Sequence, residues 1–372
     1  MKILVTGGAG FIGSHLVDAL IKKGHSVRIL DNLEPQVHGI LRRRPSYLNK
    51  EAEFIKGDIR NHDIFKKAVK NIEIIFHQAA RVGVGQSMYE IKRYIETNTL
   101  GTTNLLDILI NERHKVRKLI VASSMSIYGE GRYRCKHCGI VYPQLRTTKQ
   151  IKMKSWEMIC GRCSQKLKPI ATNEDKPLFP TSIYAITKRD QEEMCLVIGV
   201  AYKIPTVALR YFNVYGPRQA LSNPYTGVLA IFSSRILNNG PPFIFEDGLQ
   251  SRDFIHVKDI VQANLLAMER READYEVFNV GTGIPRTIMD IAKLLIKKMN
   301  PQLRIRLMNR FRAGDIRHCY ADITKIQKKL RFLPKIKFEE SIIKLADWLS
   351  KQKAVDNIEK ALLRLESKGL VK

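Results

Sequence analysis

The chain has 372 residues, 44% of them hydrophobic and only 14 of them proline, so it can bury at least one full core and is expected to form two linked domains. This composition excludes a disordered or fibrous protein. Lysine and arginine total 63 against 36 acidic residues, a formal charge of +27, which favours nucleic acid, an anionic membrane or a polyanionic small ligand as partner. No apolar run has the length of a membrane span, six cysteines are too few to cross-link such a chain, and a strand pattern directly follows Met1. We therefore expect a soluble cytoplasmic protein with reduced thiols and no membrane partner.

Short apolar runs alternate with amphipathic stretches from the first residues onward, at 3–5, 14–23, 27–30, 54–55, 74–76, 119–121 and 207–209. This alternation is typical of repeated βαβ units, so the predicted fold is α/β with a doubly wound, mostly parallel sheet. The pattern breaks at residues 131–170, which are predicted to be an insertion, and again after about Asn213. We expect residues 1–212 to form the first domain and 213–350 mainly a smaller substrate-binding domain, with 253–280 returning to the first. Residues 351–372 are expected to form a solvated, basic surface helix.

A glycine-rich loop, T-G-G-A-G-F-I-G at residues 6–13, lies between the first strand and a helix. Gly7 permits a tight turn, Gly10 lets backbone N–H groups approach a pyrophosphate, and Gly13 allows close packing of the helix on the strand. An ordinary βα turn is the alternative interpretation. Asp31 ends the second strand, where a carboxylate accepts from ribose hydroxyls and repels a 2′-phosphate, so NAD is favoured over NADP in a Rossmann domain. The candidate NAD-binding residues of this region are Gly7, Gly10, Phe11, Ile12, Gly13, Asp31, Asn32, Asp58 and Ile59.

Tyr184 and Lys188 are four residues apart, which on a helix places both side chains on one face. A nearby ammonium favours phenolate, so we expect a lowered tyrosine pKa that suits proton removal from an alcohol. Such a pair also occurs by chance on protein surfaces. A catalytic role is favoured here because the pair follows the glycine loop and the segment V-A-S-S-M-S-I-Y-G at 121–129. The hydroxyls of that segment are expected at the carboxyl end of a strand, where open α/β sheets bind ligands.

Several ordered motifs together resemble the extended short-chain dehydrogenase/reductase family of nucleotide-sugar epimerases and dehydratases. They are the glycine loop, G-D-I-R, H-Q-A-A, N-T-L-G-T-T-N-L-L, S-S-M-S-I-Y-G, Y-A-I-T-K, L-R-Y-F-N-V-Y-G-P-R, R-D-F-I-H-V-K-D-I and R-A-G-D-I-R. The resemblance covers nearly all of the chain outside residues 131–170. It implies an NAD cofactor, a nucleoside-diphosphate sugar as substrate and a homodimer.

The resemblance also implies roles for individual residues. Tyr184 would be the base and acid, Lys188 would hold the nicotinamide ribose, and Ser124 would bind the sugar hydroxyl that is oxidised. Ala79, Ala80 and Asn98 would line the NAD site. The residues expected to face the substrate, mainly its diphosphate and ribose, are Ser124, Ser126, Asn213, Arg252, Arg312 and Asp315. A guanidinium fork matches phosphate geometry, although each arginine taken singly could equally be a surface ion-pair partner.

Two residues narrow the choice among the reactions of this family. Related 4,6-dehydratases place an Asp-Glu pair directly after the hydroxyl residue, and here those positions are Met125 and Ser126. Neither can do that acid-base work, so a 4-epimerase with a transient 4-keto sugar and tightly bound NAD is favoured. Decarboxylation of a uronate sugar remains open, because it shares the 4-keto intermediate.

Four cysteines lie in the insertion as two C-x-x-C pairs, Cys135 with Cys138 and Cys160 with Cys163. This spacing suits tetrahedral zinc, and four thiolates leave no open coordination position, so a structural zinc ribbon is predicted. A disulfide pair is disfavoured by the expected compartment.

The cysteine-rich insertion and the strings G-V-G-Q-S-M-Y-E at 83–90 and A-L-S-N-P-Y-T-G at 220–227 most resemble dTDP-L-rhamnose 4-epimerases, which interconvert dTDP-L-rhamnose and dTDP-6-deoxy-L-talose. A UDP-sugar or UDP-uronate 4-epimerase, a dehydratase and a decarboxylase stay open. A non-enzymatic alternative is a Rossmann nucleotide sensor whose ribbon binds nucleic acid, because the insertion holds ten basic residues and one acid, Glu157. A sensor needs no tyrosine-lysine pair, and only Tyr133, Tyr142 and Trp156 could stack on bases, so nucleic acid is disfavoured as a partner.

Overall fold

The computed structural model describes residues 1–372 and contains sixteen β-strands and fourteen α-helices. The strands, in chain order, are β1 (Lys2–Thr6), β2 (Ser26–Asp31), β3 (Glu53–Lys56), β4 (Ile74–His77), β5 (Lys118–Ser124), β6 (Arg132–Cys135), β7 (Gly139–Val141), β8 (Lys168–Ile170), β9 (Thr206–Tyr211), β10 (Asn213–Tyr215), β11 (Phe243–Ile244), β12 (Ser251–His256), β13 (Val277–Val280), β14 (Pro285–Thr287), β15 (Arg306–Leu307) and β16 (His318–Cys319). The helices are α1 (Phe11–Lys22), α2 (Pro35–His38), α3 (His62–Val69), α4 (Val84–Ser87), α5 (Ile91–Tyr94), α6 (Gly101–Asn111), α7 (Thr148–Lys152), α8 (Ile183–Ala201), α9 (Val228–Leu237), α10 (Val257–Glu269), α11 (Ile288–Met299), α12 (Thr324–Leu330), α13 (Phe338–Leu349) and α14 (Ile358–Ser367). No helix is both long enough and apolar enough to cross a lipid bilayer.

Seven parallel strands form the main sheet in the order β13-β9-β5-β4-β1-β2-β3. The chain starts in the middle, builds β2 and β3 on one side of β1, and then builds the other strands on the opposite side. The predicted doubly wound α/β fold is therefore confirmed. In such a sheet the ligand crevice opens beyond the carboxyl ends of β1 and β4, where the strand order reverses.

Helices cover both faces of the main sheet, which explains why its strands are almost continuously apolar. On one face α1, α10 and α12 pack against the sheet through residues such as Leu16, Ile260 and Ile326. On the other face α3, α6 and α8 do so through residues such as Phe65 and Leu105. The strand ends that carry the glycine loop, Ser124 and the loop after His77 are thus held on a packed scaffold.

A second domain is built around a small mixed sheet of β10, β12, β14 and β16, together with the pair β11 and β15. Its core packs α9, α11 and α13 around aromatic and aliphatic side chains such as Phe254 and Phe338. Within the segment 253–280, α10 lies on the main sheet and β13 is its edge strand, whereas residues 253–256 belong to β12 of the second sheet.

Residues 131–170 form a separate three-stranded antiparallel sheet in the order β7-β6-β8, with α7 beside it. Its small core contains Tyr133, Met158 and Leu167 together with Cys135 and Cys160. The insertion therefore has a sheet and a small core of its own and is attached between β5 and α8.

The C-terminal segment differs from the expectation of a solvated surface helix. Helix α14 has the charged composition noted in the sequence, but Ala361 and Leu365 are buried. The last residues pair with the second domain, because Phe311 and Lys372 exchange two backbone hydrogen bonds of 3.0 Å and the N–H of Ala313 donates to the carbonyl of Leu370 at 2.8 Å. Residues 351–372 therefore form a C-terminal strap that packs on the protein surface. It packs there through its apolar residues, although the segment is highly charged.

Candidate active site

A cavity of about 610 Å³ lies at the carboxyl ends of β1, β4 and β5 and extends beneath the second domain. Eighteen of the twenty cofactor and substrate residues expected from the sequence line it. They are Gly7, Gly10, Phe11, Ile12, Gly13, Asp31, Asn32, Ile59, Ala79, Ala80, Ser124, Ser126, Tyr184, Lys188, Asn213, Arg252, Arg312 and Asp315. Asp58 and Asn98 do not line it. The cavity thus lies between the strand ends of the main sheet, which carry the glycine loop, and the second domain.

The glycine loop has the geometry of a nucleotide cradle. Gly7 has a φ of +67°, a conformation that side chains disfavour, and its N–H donates to the carbonyl of Leu30 at 2.8 Å. A Cβ on Gly13 would lie 2.2 Å from the Gly7 carbonyl oxygen, so only glycine fits where α1 crosses the loop. Helix α1 starts without a side-chain cap, which leaves backbone N–H groups directed at the cavity as donors for a phosphate.

Asp31 is buried at the end of β2 and accepts hydrogen bonds from Ala9 N–H at 3.0 Å and Leu33 N–H at 2.8 Å. Burial raises the pKa of Asp31, and these backbone hydrogen bonds oppose the rise. Asp58 acts one step back from the cavity, because its carboxylate accepts from the amide of Asn32 at 2.8 Å and from the Arg60 guanidinium. Asp58 therefore orients Asn32, which lines the cavity, and its predicted part in NAD binding stays a prediction.

The role of Asn98 at the NAD site stays a prediction. It lies in a π-helical turn, Ile95–Leu100, between α5 and α6, and is completely buried behind the cavity wall. Its side chain accepts from the N–H of Arg81 at 2.7 Å and donates to the Arg81 carbonyl at 3.1 Å and to Thr187 Oγ1 at 3.0 Å. Asn98 therefore fixes the loop after β4 against α8.

Tyr184 lies in the first turn of α8, which begins after Ser182, whose hydroxyl accepts from the N–H of Ala185 at 3.1 Å. Tyr184 lines the cavity together with Ser124 at the end of β5 and with Ser126, whose Oγ donates to Ser124 Oγ at 2.9 Å. Burial raises the pKa of Tyr184, and the nearby hydroxyl of Ser124 lowers it in part. Three hydroxyl-bearing residues therefore meet at one part of the cavity wall.

Lys188 is one turn further along α8 and is buried. Its Nζ donates to the Ala122 carbonyl at 2.6 Å and to Gln191 Oε1 at 2.8 Å, and burial lowers its pKa to about 7. The expected lowering of the Tyr184 pKa by a neighbouring ammonium is not what the structure shows. Lys188 is directed at β5 and Gln191, so burial dominates at the phenol.

The second domain contributes the opposite wall. Arg252 donates to three backbone carbonyls, those of Ser251 at 2.8 Å, Ile316 at 2.6 Å and Arg317 at 3.0 Å. Arg312 pairs with Asp315 at 2.8 Å and lies over the ring of Phe245, with its Cζ 4.8 Å from the centroid. Two guanidinium groups, from β12 and from the loop between β15 and β16, thus line the cavity on its second-domain side.

Two buried oxygen atoms of the cavity wall, Ser123 Oγ and Asn213 Oδ1, have no hydrogen-bond partner in the protein. Buried polar atoms in proteins are normally paired. Their placement beside Ser124 and the second-domain wall fits a polar ligand such as a dinucleotide and a sugar diphosphate. Ser123 was missed in the sequence, where nothing distinguishes it from Ser124 except strand alternation.

The cavity is also closed by the C-terminal strap, which the sequence did not indicate. Ile358, Ala361, Leu362 and Leu365 of α14 line it. Arg364 lies over the ring of Tyr89, with its Cζ 4.8 Å from the centroid. The helical spacing of these four residues was the available signal, but it shows an apolar face and not the surface that the face covers.

The four insertion cysteines come together as expected. Their Sγ atoms all lie within 4.8 Å of one another, and none forms a disulfide. A tetrahedral zinc with bonds of about 2.3 Å needs sulfur-sulfur separations near 3.8 Å, so the cluster has the size of such a site.

Comparisons with known proteins agree with this geometry. Residues 3–281 match the model of the NAD dependent epimerase/dehydratase family. A dTDP-L-rhamnose 4-epimerase of Burkholderia thailandensis is 32% identical over 94% of this chain and 95% of its own length. A crystal structure of UDP-glucose 4-epimerase with UDP-glucose from Thermotoga maritima has a TM-score of 0.76 at 33% identity, covering 94% of this chain and 99% of that one. A UDP-glucuronic acid 4-epimerase from Bacillus cereus, in complex with UDP-glucuronic acid and NAD, also has a TM-score of 0.76, at 29% identity and with the same coverage.

The family match covers more than half of the chain, and the similar proteins carry the names of enzymes. The resemblance seen in the motifs is therefore confirmed at the family level, and the non-enzymatic sensor is set aside. The chain is an enzyme that belongs to the NAD-dependent epimerase/dehydratase family.

Proposed function

We propose that the protein is a nucleotide-sugar 4-epimerase that works through a transient 4-keto sugar with tightly bound NAD. The observation that carries the proposal is that Tyr184 of α8 and the hydrogen-bonded pair Ser124 and Ser126 after β5 line one cavity with a glycine cradle and two arginines. A proton acceptor, a cofactor cradle and a diphosphate wall thus share one cavity.

The acids of the cavity favour epimerisation over dehydration. Four carboxylates line it, and each has partners: Asp31 accepts from backbone N–H groups, Glu34 pairs with Arg81 at 2.7 Å, and Asp315 pairs with Arg312. The fourth, Glu246, is held by two arginines. No carboxylate is left to act as the acid-base group for loss of water, and Met125 directly follows Ser124.

The chemistry assigned to the chain is the movement of one proton. Tyr184 takes the proton of the sugar 4′-hydroxyl while Ser124 holds that oxygen, and it returns the proton after the sugar has turned over. Bound NAD supplies a reversible hydride acceptor at the same carbon. Arg252 and Arg312 keep the diphosphate in place, since guanidinium groups bind phosphate through paired hydrogen bonds. Lys188, one turn from Tyr184 on α8, would hold the nicotinamide ribose of bound NAD, and its positive charge would favour the phenolate form of Tyr184.

As substrate pair we propose dTDP-L-rhamnose and dTDP-6-deoxy-L-talose. The support is the name of the Burkholderia thailandensis relative and the strings at 83–90 and 220–227. Similar proteins named for UDP-glucose and UDP-glucuronate make UDP-sugars the alternative.

The test is incubation with a panel of dTDP- and UDP-sugars, with products identified by NMR and bound cofactor released and identified. Epimerisation leaves product mass unchanged, whereas dehydration or decarboxylation lowers it. Tyr184→Phe should keep its fold and NAD but lose activity by at least ~10²-fold, whereas Tyr202→Phe, at an exposed position, should not. An active Tyr184→Phe enzyme would refute the mechanism.

We further propose that Cys135, Cys138, Cys160 and Cys163 bind one structural zinc ion. The support is the sulfur cluster and the subdomain core that its cysteines share. Elemental analysis of the purified protein should give one zinc per chain, and Cys160→Ser with Cys163→Ser should abolish it. Full metal loading of that double variant would contradict the assignment. The homodimer and the cytoplasmic location expected from the sequence also stand as proposals, the first testable by light scattering and the second by cell fractionation.

A further inference from the structure

The insertion contacts the second domain through a partly buried ion network beside the cavity. Its single acid, Glu157, binds the guanidinium of Arg317 at 2.5 and 3.0 Å and the ring of His318 at 3.1 Å. Its only buried basic residue, Arg146, binds Glu246 through two hydrogen bonds of 2.7 and 2.9 Å. Both charged contacts of the insertion therefore reach the same part of the second domain.

Arg146 joins two walls of the cavity. In the chain, Glu246 directly follows Phe245, which comes after β11. The ring of Phe245 lies under the guanidinium of Arg312. Arg146 also donates to the carbonyl of Asp315 at 3.4 Å, and Asp315 is the partner of Arg312. On its other side Arg146 donates to the Trp156 carbonyl at 3.0 Å, which anchors it in the insertion. Arg146 itself does not line the cavity.

The segment that Arg146 contacts is the one that carries the substrate arginine. Residues 312–317 are held from the cavity side by Arg252, which donates to the carbonyls of Ile316 and Arg317. They are held from the outer side by Arg146 and by the bonds from Arg317 to Glu157 and Asp247. The guanidinium of Arg146 spans Glu246 and Asp315 and, together with the 3.0 Å bond from Arg317 to Glu246, ties these two walls to each other.

We infer that Arg146 is a positioning residue for the nucleoside-diphosphate end of the substrate, through which the insertion sets the geometry of Arg312 and Asp315. The inference rests on the proposed function. It assigns the insertion a part in substrate affinity and none in the proton and hydride chemistry, because Ser124, Tyr184 and the glycine loop do not touch the network.

The structure offers a variant that leaves no buried charge alone. In Arg146→Met, Glu246 keeps its hydrogen bond of 3.0 Å from Arg317, so the fold is expected to survive. Arg134→Met is the matched control, since Arg134 lies on β6 of the same insertion, is exposed and forms no ion pair. Arg146→Lys keeps the charge but loses the fork and serves as the milder variant.

The experiment measures, on the full chain, the dissociation constants of UDP and dTDP by calorimetry, the KM and kcat with the active nucleotide sugar, bound NAD, and the melting temperature. For Arg146→Met we expect the dissociation constant and KM to rise about tenfold, with kcat and bound NAD within twofold of wild type. Arg146→Lys should fall between, and Arg134→Met should match wild type.

Wild-type affinity in a folded Arg146→Met protein would overturn the inference, and so would an equal loss of kcat and NAD. If Arg146→Met does not fold, Arg146→Lys decides, because wild-type affinity there would also overturn it. Failure of the proposed function is a different result: the wild-type protein would then neither bind UDP or dTDP nor convert any sugar of the panel.

Discussion

Gly13 offers a strong test of the nucleotide cradle. A Cβ at this position would lie 2.2 Å from the Gly7 carbonyl oxygen and 2.8 Å from the Gly8 Cα. Both neighbours are backbone atoms, and real Cβ atoms essentially never approach within 3.0 Å. Gly13→Ala must therefore push the loop away from α1 by about 0.8 Å, since a close-packed interior has no free space to absorb the methyl group.

The displacement has two expected consequences. Overpacking of this kind costs about 1–3 kcal/mol of stability. The loop also moves beyond the ~0.5 Å within which a binding site has to be held, so bound NAD should fall at least ~10-fold. The melting temperature, measured by circular dichroism with and without added NAD, reports the first effect. Release and chromatography of the bound cofactor report the second.

The control is Gly161→Ala in the insertion, because a Cβ there meets nothing within 4 Å. It should leave both the melting temperature and the NAD content unchanged. If Gly13→Ala melts like wild type and retains a full complement of NAD, the reasoning from the loop geometry is wrong.

Two further predictions concern Lys188 and the strap. Burial lowers the pKa of Lys188 to about 7, so between pH 7 and its ordinary value of about 10.4 the unfolded chain binds a proton that the folded chain does not. The free energy of unfolding should therefore rise with pH by about 1.4 kcal/mol per pH unit in wild type relative to Lys188→Met, measured by denaturation from pH 7 to 9. The same pH dependence in both proteins would contradict the burial argument. Leu365→Asp should raise KM about tenfold, because it places a charge on the cavity wall. Leu363→Asp, at a site on α14 that is 64% exposed, should leave KM unchanged. The same KM for both variants would refute the assignment of the strap to the cavity wall.

The glycine loop and the tyrosine-lysine pair could be identified in the sequence because their function depends on local geometry. Gly7 and Gly13 are required by a turn and a crossing that both lie within eight residues. The four-residue spacing of Tyr184 and Lys188 fixes their common face once α8 forms. The α/β order followed in the same way from strand and helix periodicity.

Other residues were misplaced because their partners lie far away in the chain. The ammonium of Lys188 is directed by Ala122, which is 66 residues away, and no helical spacing reports that contact. Nothing in the sequence indicates that Asn98, in a π-helical turn, hydrogen-bonds Thr187, which is 89 residues further along the chain. The strap was misjudged because charged residues suggested solvent, although Leu365 and Ala361 form a continuous buried face.

The charge of the insertion is a further case in which the sequence does not indicate which residues make the contacts. Eight of its ten basic residues are exposed and form no ion pair: Arg134, Lys136, Lys149, Lys152, Lys154, Arg162, Lys166 and Lys168. Solvated charges of this kind contribute little to stability or to docking. The contact with the second domain depends instead on one buried base and one half-buried acid, Arg146 and Glu157, which pair with Glu246 and Arg317. Net charge therefore indicates how the insertion meets solvent, whereas two specific ion pairs decide which part of the second domain it contacts.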